Sequence, residues 1–339
     1  MPTSPNTKHI QQALAEVNKV RKTLVFFACL LTAIFIYLAF LLFTYYLPPS
    51  ILFGFIAAVM LFAYAYVRYT AYYRRTLLNA CIQTLELDLK CHCSATPPVS
   101  TGIYIKPKIP ALTTLFNKAK KSQMLFTRKR KQTRLSRFLS LLGTHNQQKF
   151  ELLEIDTNHS RQHYRSSHHL SYKNIFICSP LKKPITDAVQ ILPYKVEMAF
   201  SIFSDKPTKK VSRKTPSRFL SKDEVPLPKE LKTKGYHVYS KDLKLAQSLA
   251  TQECLDLLSQ LSKELGGAIS LHYTSKELQI LIAPFRKNYE RGTKYPKASL
   301  FYPVLFFRAP TQATIKQTGR NLKKLLELPE QLKTSAGKK

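Results

Sequence analysis

The longest apolar stretch of the chain lies near its N-terminus and contains no charged side chain from residue 23 to residue 67. Two consecutive prolines, Pro48 and Pro49, divide it into segments of 24 and 17 residues, 24–47 and 51–67. A helix needs about 20 apolar residues to cross the hydrocarbon core of a bilayer, with a usable range of about 17–25. Because proline does not continue a helix, the pattern predicts two transmembrane helices joined by a tight turn.

Two other interpretations of this stretch fit the sequence less well. A cleaved signal peptide has a shorter apolar region and a small-residue cleavage site, whereas here a second apolar segment follows at once. A hairpin buried in a soluble core is the other, but 45 consecutive residues without a charge are rare in such cores. Tyrosines near the segment ends also favour a bilayer, because this side chain concentrates at membrane interfaces. They are Tyr45, Tyr46, Tyr64, Tyr66 and Tyr69.

Basic residues flank the apolar stretch on both sides, and the connection between its halves carries no charge. The flanking bases are Lys8, Lys19, Arg21, Lys22, Arg68, Arg74 and Arg75. The positive-inside rule therefore predicts that both flanks lie in the cytosol and that only the turn is outside. The resulting division is a cytosolic segment over 1–22, a transmembrane hairpin over 23–68 and a cytosolic remainder that includes the C-terminus.

The juxtamembrane region that follows, residues 69–143, has helical periodicity and a strong excess of bases. Apolar spacing continues the second span to about Lys90, and amphipathic helices are predicted over 112–119 and 135–142, with Gly143 as a stop. Residues 111–143 contain no acidic residue and nine bases. These bases are Lys118, Lys120, Lys121, Arg128, Lys129, Arg130, Lys131, Arg134 and Arg137.

A basic amphipathic helix beside a membrane anchor is typical of contact with anionic lipid headgroups. Each base near an anionic leaflet contributes about 1 kcal/mol, and salt weakens the attraction. An ordinary helix that packs its apolar edge on a domain and leaves its charges in water explains the pattern equally well. Binding to nucleic acid is a third interpretation, since counterion release rewards such a cluster, but no zinc-finger or RNA-binding motif accompanies it.

Beyond residue 144 the pattern changes to short apolar or aromatic runs separated by turn residues, which predicts strands. Amphipathic helices are predicted over 241–265, capped by Ser240 or Asp242 and ended by Gly266, and over 313–328. Residues 204–234 are polar and contain prolines, as a loop does. The predicted strands are 150–155, 172–178, 189–192, 196–203, 236–239, 268–273, 277–283 and 301–307.

Strands mixed with a few helices indicate an α+β fold. We therefore predict a two-helix transmembrane hairpin followed by a cytosolic domain of helices and antiparallel strands, and this domain covers 144–328. The last residues, 329–339, are expected to form a flexible tail.

Three stretches resemble an uncharacterised bacterial family of membrane proteins, a domain-of-unknown-function family with an N-terminal transmembrane pair and a cytosolic α+β domain. They are the strand at 170–178 with the later segment 191–193, residues 235–242, and the helix-to-hairpin unit at 243–282. The resemblance extends over 20–80 and 145–325, with Asn174 where the family usually has glycine. It implies a place in the bacterial inner membrane, and it implies no activity, cofactor or catalytic residue.

Cysteines and histidines occur in two short groups that invite comparison with metal sites. Cys91, His92 and Cys93 follow Cys81, but structural zinc takes four ligands and the second cysteine pair is missing. The other group, with arginines among the histidines, is more simply a solvated hairpin, although the sequence leaves metal binding there open. It comprises His159, His163, His168 and His169. We expect no metal and no cofactor.

Composition narrows the function. Lys and Arg number 53 against 20 acids in 339 residues, a formal net charge of +33, which favours acidic partners. The sequence contains no phosphate-binding loop, hydrolase elbow or metalloprotease helix. Our hypothesis is a membrane-anchored, non-enzymatic interaction or scaffold protein that binds another protein while its basic segment contacts the anionic inner leaflet. The alternatives are a membrane-tethered nucleic-acid-binding protein and an enzyme whose site no motif marks.

Overall fold

The structure is a computed structural model, and it describes residues 5–44, 49–93, 110–121, 133–159, 170–193, 223–228, 235–284, 297–300 and 311–336. These residues form six helices and eight strands, which confirms the predicted α+β class. The chain divides into two compact units. The first comprises Met1–Ile103 and Phe301–Arg320, and the second comprises Tyr104–Leu300 and Asn321–Lys339.

Two long helices dominate the first unit. Helix α1 covers Pro5–Thr44, α2 covers Pro49–Thr84, and a short strand, β1, follows at Asp88–Cys93. At about 1.5 Å per residue, α1 is about 60 Å long and α2 about 54 Å, roughly twice the hydrocarbon thickness of a bilayer. Each helix therefore contains an uncharged half of membrane length and a further half that carries charges. The second ends six residues before Lys90, the predicted end.

Small side chains are buried where the apolar halves of α1 and α2 pack together. Ala28 and Ala39 of α1 and Ala58 and Ala65 of α2 are buried, whereas large apolar side chains of the same halves are exposed. Alanine lets helix backbones approach closely, which is a common way for helices to pair in lipid. The exposed side chains are Phe26, Phe27, Leu30, Leu31, Ile34, Phe35, Ile36, Tyr37, Leu38, Phe40, Phe55, Ile56, Val59, Met60 and Tyr64.

Two described helices are long and apolar enough to cross a membrane, at His9–Leu41 and Phe55–Thr84. Only 11% of the most apolar window of the first and 25% of that of the second is buried, whereas the core helix of a soluble protein is mostly buried. In the charged halves the packing is polar as well, because the Tyr72 hydroxyl donates to the carboxylate of Glu16.

Seven of the eight described strands belong to the second unit, where they form an antiparallel sheet. Their order across the sheet is β2-β3-β4-β8-β7-β5-β6. The pairing of β4 with β8 joins parts of the chain that are far apart in sequence. The strands are β2 (Thr133–His145), β3 (Gln148–His159), β4 (Leu170–Pro180), β5 (Val189–Pro193), β6 (Tyr236–Ser240), β7 (Gly267–Tyr273) and β8 (Glu277–Pro284).

The strand register makes one face of the sheet aliphatic. Directly paired residues place their side chains on the same face, and the next residue along each strand points to the other face. One continuous row of paired residues is aliphatic throughout and fully buried, and we call it the aliphatic row. It consists of Leu141, Leu152, Ile177, Ile280, Leu271, Ile191 and Val238.

Two short helices, rather than one long one, follow β6. Helix α4 covers Leu243–Leu249 and α5 covers Gln252–Leu265, so the prediction of a single helix over 241–265 was wrong. The break occurs because the Thr251 side chain accepts from the backbone N–H of Cys254 and starts a new helix. Asp242 caps α4, as one of the two predicted caps, and α5 ends at Gly266. The Ser262 and Tyr236 hydroxyls, 3.2 Å apart, hold α5 on the aliphatic face.

The last helix, α6, covers Gln312–Ala336 and is longer than the predicted 313–328. The expectation of a flexible tail over 329–339 was therefore wrong for residues 329–336. This part of α6 is held by side chains, since Lys333 Nζ donates to Gln148 Oε1 and Ser179 Oγ at 2.8 Å each. The Asn146 amide also donates to Glu330 Oε2 at 3.1 Å.

The basic juxtamembrane region is only partly helical. Helix α3, Pro110–Lys121, matches the predicted helix over 112–119, but the predicted helix over 135–142 was wrong because these residues belong to β2. Leu139 and Leu141 are both buried at the two-residue spacing of a strand, and they pair with β3. The predicted strands over 196–203 and 301–307 lie outside the described residues.

Two glycines in helical surroundings provide a matched test of this fold. Gly266 has φ +65°, and an added Cβ would lie 2.5 Å from the Lys297 side chain, whereas a Cβ at Gly319 within α6 would meet nothing within 4 Å. We expect Gly266→Ala to destabilise the protein by about 1 kcal/mol or more and Gly319→Ala to stabilise it by about 0.5–1 kcal/mol. Thermal unfolding of both variants in detergent measures the two effects, and shifts of the same sign would contradict the assignment.

Candidate functional site

The nine bases predicted to contact anionic lipid are distributed over three parts of the chain. Lys118, Lys120 and Lys121 lie in α3, and Arg134 and Arg137 lie in β2. Residues 128–131, which hold the other four, lie outside the described residues. The described part of this cluster thus lies on a helix and a strand, whereas the sequence predicted amphipathic helices at both of its ends.

Lys118 is the base of this group whose side-chain contacts the structure describes, and it points to the sheet. Its Nζ lies 2.6 Å from Glu277 Oε1 on β8 and 3.1 Å from Glu151 Oε2 on β3. Lys149 Nζ lies 2.6 Å from the other oxygen of Glu151. A single ammonium therefore joins two carboxylates from strands that are separated in the sheet by β4, and it holds α3 against that face.

The charge of this ammonium depends on the two carboxylates. Burial by itself lowers the pKa of Lys118, but the hydrogen bond to Glu277 and the charge of Glu151 outweigh it and raise the pKa above its ordinary value. The same carboxylates lie beside the Cys178 thiol, which donates to Glu277 Oε2 at 3.7 Å. Burial and then the charge of Glu277 raise the pKa of Cys178, so it stays a neutral thiol.

A row of polar side chains crosses the same face of the sheet as α3, and we call it the polar row. Its members are directly paired from strand to strand, in register with one another and one position along from the aliphatic row. Leu115, Phe116 and Ala119 of α3 pack on this face in a buried cluster that includes Cys178. In sheet order the polar row is Glu151, Cys178, Gln279, His272, Gln190 and Tyr239.

Every member of the polar row is buried, which is uncommon for so many polar groups in one sheet. Ser140 and Ser270, on the same face by their pairing with Leu153 and Leu281, are also buried. Within the described chain, Gln279 Oε1 and the hydroxyls of Ser140 and Ser270 have no hydrogen-bond partner. Each such group costs about 1–3 kcal/mol when it is desolvated without a partner, so this face carries polarity that folding alone does not require.

The aliphatic face also carries a buried carboxylate, and both of its oxygens accept hydrogen bonds. Glu154 is completely buried, its Oε2 accepts from the backbone N–H of Leu300 at 2.8 Å, and its Oε1 accepts from the Ser299 hydroxyl. The Asn321 amide donates to the Lys297 carbonyl at 2.8 Å in the same region. These contacts attach the segment 297–300 to the sheet, and we assign them a structural role.

The structure describes the cysteines of the first group of possible metal ligands but not most histidines of the second. No cluster of three or more histidine, cysteine or acidic side chains fit to hold a metal occurs among the residues that the structure describes. Cys81 is buried in α2, where its thiol donates to the Ile315 carbonyl, while Cys91 and Cys93 lie on β1 with their Sγ atoms 3.8 Å apart. The histidines from 163 to 169 lie outside the described residues.

The sequence contains a signal for the polar row, although no functional motif marks it. Glu151, Gln190, His272 and Gln279 are polar residues within predicted strands that are mainly apolar. A polar residue at such a position is expected to be solvent-exposed, as in a sheet with one wet face. The pairing of the strands, which the sequence does not reveal, brings these residues into one line and buries them.

Comparison with known proteins leaves the chain without an assigned family. No known protein family matches the sequence, and no curated protein matches it. One solved structure with partial similarity is the crystal structure of the mycobacterial trehalose monomycolate transport factor A, TtfA, at 10% sequence identity. The match covers 55% of this chain and 71% of that chain, with a TM-score of 0.23, so it carries no argument about fold or function.

The two lysines that contact Glu151 differ in burial and provide a first test of the site. Breaking a buried ion pair costs about 3–5 kcal/mol, and because Lys118 keeps partial exposure we expect Lys118→Ala to cost about 1–3 kcal/mol. Lys149 is 66% exposed, so Lys149→Ala should cost less than about 1 kcal/mol. Denaturant unfolding compares them, and equal losses would contradict the role of Lys118.

The stabilisation by Lys118 has a defined pH dependence. Since its pKa is raised on folding, the contribution is fully present below the ordinary value of 10.5 and is lost as the pH rises through the raised value. The difference in stability between the native protein and Lys118→Ala should therefore be nearly constant between about pH 7 and 9, where the lysine is charged in both states. A difference that disappears within this range would contradict the ion pairs.

Two glutamines test whether the polar row opposes stability. Gln279 Oε1 has no partner within the described chain, so Gln279→Leu should stabilise the fold by about 1 kcal/mol. Gln148→Leu makes the same change where Oε1 accepts from Lys333, and it should destabilise by a similar amount. Unfolding midpoints of the two variants measure this contrast, and a loss of stability in Gln279→Leu would show that the polar row is itself structural.

Proposed function

We propose that this protein is a membrane-anchored interaction protein, without enzymatic activity, whose basic segment contacts an anionic lipid surface while its α+β unit binds a protein partner. The observation that carries the proposal is the combination of two exposed apolar helices with a long basic segment directly after them in the chain. Residues 90–150 contain no acidic side chain at all. Apolar helices hold the chain at a bilayer, and the bases supply the affinity for its charge.

The membrane part of the proposal is supported by the exposure of the apolar halves of α1 and α2. Among the side chains described there, fifteen large apolar ones are exposed, and Phe26, Tyr37, Phe55 and Met60 are more than 60% exposed. Water would disfavour this surface strongly, at about 25 cal/mol per Å², and lipid removes that cost. With the flanking bases on the inner side, both termini are in the cytosol and only the turn after α1 is outside.

The position of Lys118 changes the set of bases that we propose to contact lipid. Lys118 forms ion pairs with Glu151 and Glu277 within the second unit, so we exclude it from the lipid-contacting group. We therefore limit that group to eight of the nine bases, which extend from the end of α3 to β2. They are Lys120, Lys121, Arg128, Lys129, Arg130, Lys131, Arg134 and Arg137.

Lysine acetylation in nanodiscs tests the lipid contact on the full-length protein. In discs that contain phosphatidylglycerol, Lys120, Lys121, Lys129 and Lys131 should react several-fold more slowly than in discs of phosphatidylcholine. The protection should vanish at about 1 M salt, where the Debye length falls to about 3 Å. Mass spectrometry gives the rate at each lysine.

Internal controls are present in the same chain. Lys118 should react slowly in both lipids because it is ion-paired, and Lys263 on α5 should react at the same rate in both. Equal rates at Lys120 and Lys121 in the two lipids would overturn the lipid contact. Protection of the four test lysines by a DNA or RNA oligonucleotide in phosphatidylcholine discs, without any effect of the anionic lipid, would favour the nucleic-acid-binding alternative.

The partner is tested separately. Chemical cross-linking in native membranes, followed by purification of the tagged chain, should recover a defined protein in constant ratio to it. The same partner should be retained when Lys120, Lys121, Lys129 and Lys131 are changed to Gln, because the proposal assigns binding to the α+β unit rather than to the basic segment. A tagged chain that is always recovered alone would contradict the scaffold role.

A further inference from the structure

One end of the sheet in the second unit carries five exposed lysines that the proposed lipid contact does not involve. They lie in three connections at this end: the loop 181–188 between β4 and β5, the turn 274–276 between β7 and β8, and the start of α4 after β6. None of them forms an ion pair within the described part of the chain. The five are Lys182, Lys183, Lys241, Lys244 and Lys276.

Hydrogen bonds join the three connections into one surface. Two backbone N–H groups of the loop, those of Leu181 and Ile185, donate to carbonyls of the turn at 2.8 and 3.0 Å. The Thr186 hydroxyl of the same loop donates to Asp242 Oδ2, at the start of α4, at 3.5 Å. The five lysines are therefore presented on one continuous surface, which we call the lysine surface.

The positive charge of the lysine surface is in excess. Its two aspartates accept hydrogen bonds from backbone N–H groups, Asp187 at 2.7 Å and Asp242 at 3.0 Å, and neither forms an ion pair within the described chain. On α6, burial lowers the pKa of Lys333, and the charge of Lys182 lowers it further although Glu330 opposes this. A bound anion would offset the repulsion among these ammonium groups.

A leucine is exposed among these lysines. Leu243 lies at the start of α4, between Lys241 and Lys244 in sequence, and 47% of it is exposed. No other large apolar side chain is as exposed among the described residues of the second unit. An apolar side chain with charged residues around it is typical of a protein-binding surface, because the apolar contact excludes water and the charges select the partner.

We propose that the lysine surface, together with Leu243, binds an acidic segment of a partner protein that presents an apolar side chain among its carboxylates. The partner is the one that the proposed function assigns to the α+β unit, so the inference rests on that function and specifies the partner's chemistry. The carboxylates of the segment pair with the lysines, and its apolar side chain covers Leu243. The surface consists of loops on a rigid sheet, where binding residues commonly lie.

Nucleic acid fits the lysine surface less well. Its three connections contain no arginine and no aromatic residue, the side chains that make bidentate phosphate contacts and stack on bases. Leu243 gains nothing from a phosphate backbone, whereas it matches an apolar side chain of a protein. The observations therefore favour an acidic protein segment.

Fluorescence anisotropy with a labelled peptide tests the lysine surface on the full-length chain in phosphatidylcholine nanodiscs, where no anionic lipid competes. The probe is a synthetic amphipathic peptide of glutamate and leucine. Lys182→Gln, Lys183→Gln and Lys276→Gln together should weaken its binding about tenfold, because three exposed charge pairs are lost. Leu243→Ser should weaken it at least about threefold through the lost apolar contact.

A matched control variant removes the same charge elsewhere. It combines Lys263→Gln, Lys316→Gln and Lys323→Gln, three lysines that are also exposed, and it should keep the affinity within about twofold of the native value. Thermal unfolding of each variant shows that it is folded. A DNA oligonucleotide with the same net charge as the peptide should bind the native chain more weakly than the peptide does.

Four results of the titration would overturn the inference: a native chain that does not bind the peptide, an equal loss of affinity in the control variant, native affinity in Leu243→Ser, or tighter binding of the oligonucleotide. Cross-linking in native membranes separates this failure from that of the proposed function. A tagged chain that is always recovered alone contradicts the proposed function. A partner that is recovered equally well with the native chain and with the variant at Lys182, Lys183 and Lys276 contradicts the lysine surface only.

Discussion

The pairing of β4 with β8 is the constraint on which the second unit depends. These strands hydrogen-bond over Ile175 to Pro180 although nearly a hundred residues separate them in sequence. Their register decides how β2 and β3 on one side are aligned with β7, β5 and β6 on the other, because this pair links the two halves of the sheet. A slip of one residue would exchange the faces, moving Gln279 toward the helix α5 and Ile280 toward α3. The aliphatic row resists such a slip, since it would lose its burial.

The sequence predicted the local structure well and the long-range arrangement poorly. Short apolar runs between turn residues identified β3 to β8, and the uncharged stretch identified the apolar helices. The prediction from the sequence failed at 135–142. The leucines there fit both a helical and a strand spacing, and the pairing with β3 makes the segment a strand. The sequence also did not reveal the start of α5, because a threonine such as Thr251 occurs both within helices and as the N-cap of a new helix. Most of the candidate site could not be predicted from the sequence. Lys118 was predicted to lie on a solvated or lipid-facing surface, whereas in the structure it lies between two carboxylates.

The second unit therefore combines two sheet faces of opposite character. The aliphatic face is closed by α5 and supplies stability through burial of Leu, Ile and Val. The polar face carries α3, the ion pairs of Lys118 and the buried polar row. The described hydrogen bonds and ion pairs offset the desolvation of these polar groups only in part. Proteins commonly concentrate such unfavourable groups where they bind or react, so the polar face is the part of this fold where selection for function is expected.

The late position of β8 in the chain has a consequence for biosynthesis. A ribosome that adds about 5–20 residues per second needs roughly 5–20 s to proceed from the end of β4 to β8. During that interval the hydrogen-bonding edge of β4 has no partner, and a bare strand edge invites pairing with other chains. The hairpin of α1 and α2 emerges before any strand of this sheet. In the proposed membrane protein, this hairpin would therefore insert into the bilayer while β8 is still being synthesised.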